Sequence, residues 1–96
     1  MTRLLIIDDH AVVRQGLVQA FHDKGFASIE TAGSLKEARA KIAAFNPEAL
    51  IIDLNLPDGS GLEVVQWVRK FSPDIAIIIL SLNDPAQFVK IARSSG

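Results

Sequence analysis

Three aspartates and one serine come directly after apolar runs of the sequence. Asp8 and Asp9 follow the first run, Asp53 follows the third, and Ser81 follows the fourth. If these runs are neighbouring strands of a parallel sheet, their carboxyl ends share one edge, and the four side chains converge there. Carboxylates that lie close together raise the cost of ionising one another, and a bound cation relieves that cost.

This donor set favours Mg²⁺. Carboxylate oxygens, in a chain without cysteine, suit a hard divalent cation that keeps several waters and binds phosphoryl oxygens. Asp53 is then either a metal ligand or the nucleophile that accepts a phosphoryl group, since carboxylates form aspartyl phosphates in this way. Asn55 lies two residues further on, where its main-chain carbonyl could complete the coordination.

Four strands are predicted to position these residues. The runs at residues 4–7, 49–52 and 75–80 are continuous and rich in isoleucine, as in strands buried on both faces of a parallel sheet. Residues 26–32 are more polar and predict an edge strand.

Helical patterns separate these runs. The second helix has the clearest apolar stripe, at Leu35, Ala38, Ile42 and Phe45. Ser34 and Glu37 have the spacing of a capping box, which recurs before the third helix. Asp84 followed by Pro85 predicts the start of a fourth helix. The order β-α-β-α-β-α-β-α predicts an α/β fold, a flavodoxin-like doubly wound parallel sheet with strand order 2-1-3-4.

Composition sets the limits of this fold and its partners. The 96 residues, 49% of them hydrophobic, predict one domain over residues 1–96. The net charge of −1 shows no basic excess for nucleic-acid binding. The apolar runs fall well short of the roughly 20 residues that span a bilayer. We therefore expect a cytoplasmic protein without membrane contact.

The chain resembles the receiver domain of two-component response regulators. The resemblance rests on the Asp8–Asp9 pair, on Asp53 followed by LNLPDGSG, and on Ser81. It implies that Asp53 is the phosphoacceptor, that Asp9 binds Mg²⁺ with help from Asp8 and the main-chain oxygen of Asn55, and that the Ser81 hydroxyl senses the phosphoryl group. The DDH start and LPDGSGLEVV are similar to the subfamily with a helix-turn-helix DNA-binding output.

The sequence also departs from that family. The family's phosphoryl-contacting lysine, aromatic switch residue, fifth strand and fifth helix would come after Gly96, and Lys90 falls inside the fourth helical pattern instead. Leu82 stands where a small residue is usual. The expectation is a receiver domain that is C-terminally incomplete. Its exposed fourth strand, or the helices beside it, would mediate self-association, since an apolar strand edge invites pairing.

The resemblance implies a signalling switch rather than an enzyme. A sensor histidine kinase would phosphorylate Asp53, and DNA would be contacted only through an output domain absent from this chain. Two alternatives stay open: a non-switching interaction or dimerisation module that keeps the acidic pocket, and a Mg²⁺-dependent phosphohydrolase. Asn55 disfavours the phosphohydrolase because a second acid usually stands there. His10 could tune the site or relay protons, but it is interpreted as a solvated residue at a helix start, and Asp58 is interpreted as a turn residue.

Overall fold

The computed structural model describes residues 2–80 and the backbone of residues 89–92. Within these ranges the elements are β1 (Arg3–Ile7), α1 (Ala11–Asp23), β2 (Ser28–Ala32), α2 (Leu35–Phe45), β3 (Ala49–Asp53), β4 (Asn55–Leu56), β5 (Gly59–Ser60), α3 (Gly61–Phe71), β6 (Ala76–Leu80) and β7 (Val89–Ala92). None of the helices in this part of the chain is long and apolar enough to cross a membrane.

A five-stranded sheet carries the fold, with the order β2-β1-β3-β6-β7. The strands β2, β1, β3 and β6 are mutually parallel. Leu5 in β1 pairs with Leu50 in β3, and Leu50 pairs with Ile77 in β6. The predicted flavodoxin-like order 2-1-3-4 is therefore confirmed, with β6 as the fourth strand of that prediction. Strand order reverses at β1 and β3, which places their carboxyl ends side by side at the switch point where such folds bind ligands.

Apolar side chains fill both faces of the sheet because successive strand residues point to opposite sides. On the face covered by α2 and α3, the buried strand residues are Leu5, Ile7, Leu50, Ile52 and Ile77. On the face covered by α1, they are Leu4, Ile6, Ile51 and Leu80, packed against Leu17, Val18 and Phe21. Continuous apolar runs are thus explained by burial on two sides, as predicted.

The predicted helix starts are present at α2 and α3. Ser34 Oγ accepts the main-chain N–H of Glu37 at 3.1 Å, whereas the Glu37 carboxylate accepts the N–H of Gly33 rather than that of Ser34. At α3 the capping box is complete, with Ser60 and Glu63 each accepting a main-chain N–H. These caps fix where the two helices begin relative to the strands before them.

The prediction of a fourth helix is wrong over residues 89–92, because these residues form the strand β7. This strand runs antiparallel to β6, and its residue Lys90 pairs with Ile79. Pairing satisfies the main-chain groups along the β6 edge, and the β-branched Val89 and Ile91 suit a strand. Because β7 covers this edge, the premise of an exposed fourth strand does not hold.

Other predictions near the chain's end remain untested. The helix start at Asp84 and Pro85, and the residues Ser81 and Leu82, lie outside the described residues.

Candidate metal and phosphoryl site

The carboxyl ends of β1 and β3 hold two buried aspartates. Asp8 follows β1 and is 0% exposed, and Asp53 ends β3 and is 1% exposed. Their backbone is fixed by the sheet, since the N–H of Asp8 donates to the carbonyl of Ala32 at 3.0 Å and the N–H of Leu54 donates to that of Leu80 at 3.3 Å. Both side chains therefore start from rigid positions at one edge.

Four side chains meet at this edge. Asp8, Asp9, His10 and Asp53 each bring one ligand atom into a group in which all atoms lie within 4.8 Å of one another. The structure thus brings together the three aspartates that were predicted from the sequence to form a site. It adds His10, whose Nδ1 lies 2.9 Å from Asp8 Oδ1, 3.1 Å from Asp9 Oδ1 and 3.8 Å from Asp53 Oδ2.

The interpretation of His10 as a solvated residue at a helix start did not include these contacts. Its side chain is indeed 57% exposed, yet one ring nitrogen faces three carboxylates. The available signal was its place directly after the acidic pair, in the turn between a strand and a helix. Hydrogen bonding to Asp8, followed by the negative charge of Asp9, raises the pKa of His10 and favours the protonated ring.

Burial makes the ionised cluster costly. It raises the pKa of the Asp53 carboxyl, and the negative charges of Asp8 and Asp9 act in the same direction. The main-chain N–H of Asn55 opposes this increase by donating to Asp53 Oδ1 at 3.0 Å. A positive charge among the three carboxylates would stabilise their ionised form.

One carboxylate oxygen of Asp8 gives further support for a bound cation. Asp8 Oδ1 accepts the main-chain N–H of His10 at 2.7 Å, but Asp8 Oδ2 is buried without a hydrogen-bond partner among the described residues. Leaving a buried carboxylate oxygen unpaired is expensive, and a metal ion is one way to satisfy it. Hard carboxylate oxygens around a small space fit Mg²⁺, whereas an imidazole nitrogen is not a ligand that Mg²⁺ prefers.

The loop after Asp53 folds into a tight hairpin. Asn55 in β4 pairs with Ser60 in β5, so the loop returns at once to the sheet edge. Gly61 begins α3, and its N–H donates to the carbonyl of Leu54 at 2.9 Å. A Cβ on Gly61 would lie 2.3 Å from the main-chain oxygen of Asp53, so only glycine fits this approach. The predicted coordination by the Asn55 carbonyl stays a prediction.

Asp58 does more than shape the turn at the tip of this hairpin. Its two carboxylate oxygens accept the N–H groups of Leu35 at 2.7 Å and Lys36 at 3.1 Å, in the first turn of α2. The Leu35 bond is the main reason that the pKa of Asp58 is lowered. The hairpin that follows Asp53 is thereby tied to α2, a contact across more than twenty residues.

Comparison with known proteins identifies the family. Residues 4–96 match the model described as the response regulator receiver domain. The chain therefore belongs to the response-regulator receiver domain family, as the sequence resemblance implied.

Individual relatives agree with this assignment. The chain is 37% identical over 82 residues to the DNA-binding transcriptional activator DevR/DosR of Mycobacterium tuberculosis, a match that covers 84% of this chain and 38% of the relative. A DNA-binding response regulator of the LuxR family from Staphylococcus aureus superimposes with a TM-score of 0.77 at 31% identity, covering 92% of this chain and 75% of that one. The beryllofluoride-activated NtrC4 receiver domain dimer gives a TM-score of 0.79 at 26% identity, with coverage of 92% and 72%.

Proposed function

We propose that residues 1–96 are one phosphoacceptor domain of a two-component signalling protein, phosphorylated on Asp53 with Mg²⁺. The observation that carries this proposal is the convergence of Asp8, Asp9 and Asp53, whose ligand atoms lie within 4.8 Å of one another, together with a buried Asp8 Oδ2 that has no hydrogen-bond partner among the described residues. This chain covers 38% of the length of the DevR/DosR relative, whose name records DNA binding. We also propose that this domain belongs to a transcriptional regulator whose DNA-binding output domain lies outside this chain.

The two oxygens of Asp53 have different roles. Oδ1 accepts the N–H of Asn55, whereas Oδ2 is the oxygen that faces the cluster, 3.8 Å from His10 Nδ1. Oδ2 is therefore the atom that we assign to attack phosphorus, forming a P–O bond to Asp53 as the bond from phosphorus to the donor breaks. The leaving group keeps the electron pair of that bond.

The other site residues would hold the metal ion and the phosphoryl group in place. Asp8 and Asp9 are the carboxylates that would hold Mg²⁺ with Asp53 and the main-chain oxygen of Asn55. Bound there, Mg²⁺ would offset negative charge on the phosphoryl oxygens. We assign the Ser81 hydroxyl to contact the phosphoryl group after transfer, on the resemblance alone.

The proposed partners follow from this chemistry. The phosphodonor is a sensor histidine kinase, in the cytoplasm, and the chain is a signalling acceptor rather than an enzyme with a turnover substrate. DNA is reached only through an output domain. Self-association is assigned to the helices predicted beside the fourth strand, because β7 pairs with the edge that was expected to be free.

Intact-mass spectrometry tests the proposal. The chain is incubated with acetyl phosphate in Mg²⁺ and in EDTA, beside the Asp53→Asn variant as the matched control. We expect one phosphoryl group on the native chain in Mg²⁺ only, and none on the variant. No gain on a folded native chain would refute the phosphoacceptor function and favour an interaction module that only retains the pocket.

A further inference from the structure

Arg14 lies next to the acidic cluster without belonging to it. This residue is in the second turn of α1, and its guanidinium Nη1 donates to the main-chain oxygen of Asp8 at 2.6 Å. The bond joins a helix side chain to the last backbone carbonyl before Asp9. It is short and its donor is charged, which marks it as one of the stronger hydrogen bonds near the site.

Arg14 holds the strand-to-helix turn at two points. Its main-chain N–H donates to the carbonyl of His10 at 2.9 Å, while its side chain holds the carbonyl of Asp8. Asp9 lies between these two fixed carbonyls. The first bond is an ordinary helical one that nearly any residue would supply. The second needs a long side chain with a charged donor, so it is specific to the residue type at position 14.

The guanidinium also lies beside the loop between β2 and α2. A Cβ on Gly33, in the loop between β2 and α2, would lie 3.1 Å from Arg14 Nη1. On the same side, the Glu37 carboxylate accepts the Gly33 N–H. The head group of Arg14 therefore lies between the end of β1 and this loop, within reach of the Asp8 carbonyl.

We propose that Arg14 is a positioning residue for the metal site, an inference that rests on the function proposed above. By fixing the Asp8 carbonyl it fixes the backbone from which the Asp8 and Asp9 carboxylates project. Without that bond, the turn can rotate, and the carboxylates meet Mg²⁺ in a less favourable arrangement. Residues that orient metal ligands commonly change metal affinity by about 10–100-fold when they are removed.

A direct metal titration tests this proposal without using phosphorylation. Binding of Mn²⁺ is followed by electron paramagnetic resonance of the free ion, and Mg²⁺ is then measured by competition. Arg14→Met keeps an unbranched stem but removes the donor, and Arg14→Lys restores a charged donor with a different geometry. We expect the dissociation constant to rise about tenfold in Arg14→Met and by less in Arg14→Lys.

Arg69→Met is the matched control. The Arg69 guanidinium also donates to main-chain oxygens, those of Pro73 at 3.0 Å and Ile75 at 2.7 Å, but at the opposite end of the sheet, where β6 begins. We expect this variant to lose thermal stability while its metal affinity equals that of the native chain. A merely structural role for Arg14 predicts the same behaviour for both methionine variants.

The outcomes separate this proposal from the function on which it rests. If the native chain binds neither Mn²⁺ nor Mg²⁺, the positioning role of Arg14 and the proposed function are both overturned. If the native chain binds and Arg14→Met binds equally well, or if Arg69→Met weakens binding as much, the positioning role alone is overturned. Should Arg14→Met fail to fold, Arg14→Gln, whose uncharged amide is too short to replace the guanidinium, decides the question: affinity equal to the native value would overturn the proposal, and a several-fold loss would support it.

Discussion

A single methyl group added at Gly61 is expected to disturb Asp53, the proposed phosphoacceptor. Gly61 is the first residue of α3, and a Cβ built there lies 2.3 Å from the main-chain oxygen of Asp53 and 3.0 Å from Ile52 Cγ1. Real Cβ contacts essentially never fall below 3.0 Å, so the alanine must move away from the Asp53 oxygen by at least 0.7 Å, the difference between 3.0 and 2.3 Å. The obstacle is backbone, which cannot swing aside as a flexible side chain can.

The cost follows from how cores respond to added volume. Inserting a methyl group where it does not fit typically costs about 1–3 kcal/mol. Alanine regains up to about 1 kcal/mol over glycine as a helix former, which offsets part of that cost. Taking the middle of that range, about 2 kcal/mol, less an offset of up to about 1 kcal/mol, we expect Gly61→Ala to lower the free energy of unfolding by about 1–2 kcal/mol. For a domain of this size, that is a fall of roughly 4–16 °C in the melting temperature.

Urea unfolding followed by circular dichroism measures this change, and Gly16→Ala is the matched control. Gly16 is an exposed residue inside α1, and a Cβ there meets nothing within 4 Å. Gly16→Ala should stabilise the chain by roughly 0.5–1 kcal/mol. Gly61→Ala should also slow phosphorylation of Asp53, because the displaced carbonyl belongs to that residue. Stability at or above the native value in Gly61→Ala would show that a Cβ is tolerated beside the Asp53 oxygen.

Three further variants test the charged groups. Because the pKa of His10 is raised, its protonated ring stabilises the metal-free fold below the ordinary value of about 6.5, and this stability is lost as pH rises through the raised pKa. Thermal melts in EDTA should show a larger loss for His10→Gln at about pH 5 than at about pH 9, and equal losses would contradict this. Because the pKa of Asp58 is lowered, Asp58→Asn should destabilise the chain at neutral pH, with the difference shrinking as pH falls below about 4; a difference independent of pH would count against the bonds to α2. Mg²⁺ should raise the melting temperature of the native chain but not that of Asp8→Asn, and an equal rise in both would remove Asp8 from the metal site.

The elements that carry the acidic cluster are predictable because their signals are local. The apolar runs before Asp8 and Asp53 are long enough to specify buried strands, and a parallel sheet then requires their ends to share an edge. The stripe that begins at Leu35 and the cap at Ser34 similarly fix α2. In each case the determining pattern lies within about ten residues of sequence, which is the range over which such signals act.

The features that sequence reasoning missed depend on contacts across space. Residues 89–92 form β7 because the β6 edge offers a partner, and the helical interpretation of this segment did not include that pairing. Asp58 accepts N–H groups from a helix that begins more than twenty residues earlier. The approach of His10 to three carboxylates depends on its rotamer, which the residue order leaves open.

The proposed function requires Mg²⁺ and the Asp53 carboxylate to bind a phosphoryl-like group together. Fluorine NMR of the chain with beryllofluoride, a phosphoryl analogue, tests this directly and does not depend on the rate of phosphate transfer. We expect bound fluorine resonances from the native chain in Mg²⁺, lost in EDTA and absent from Asp53→Asn. Only free fluoride and free beryllofluoride signals from a folded native chain in excess Mg²⁺ would contradict it.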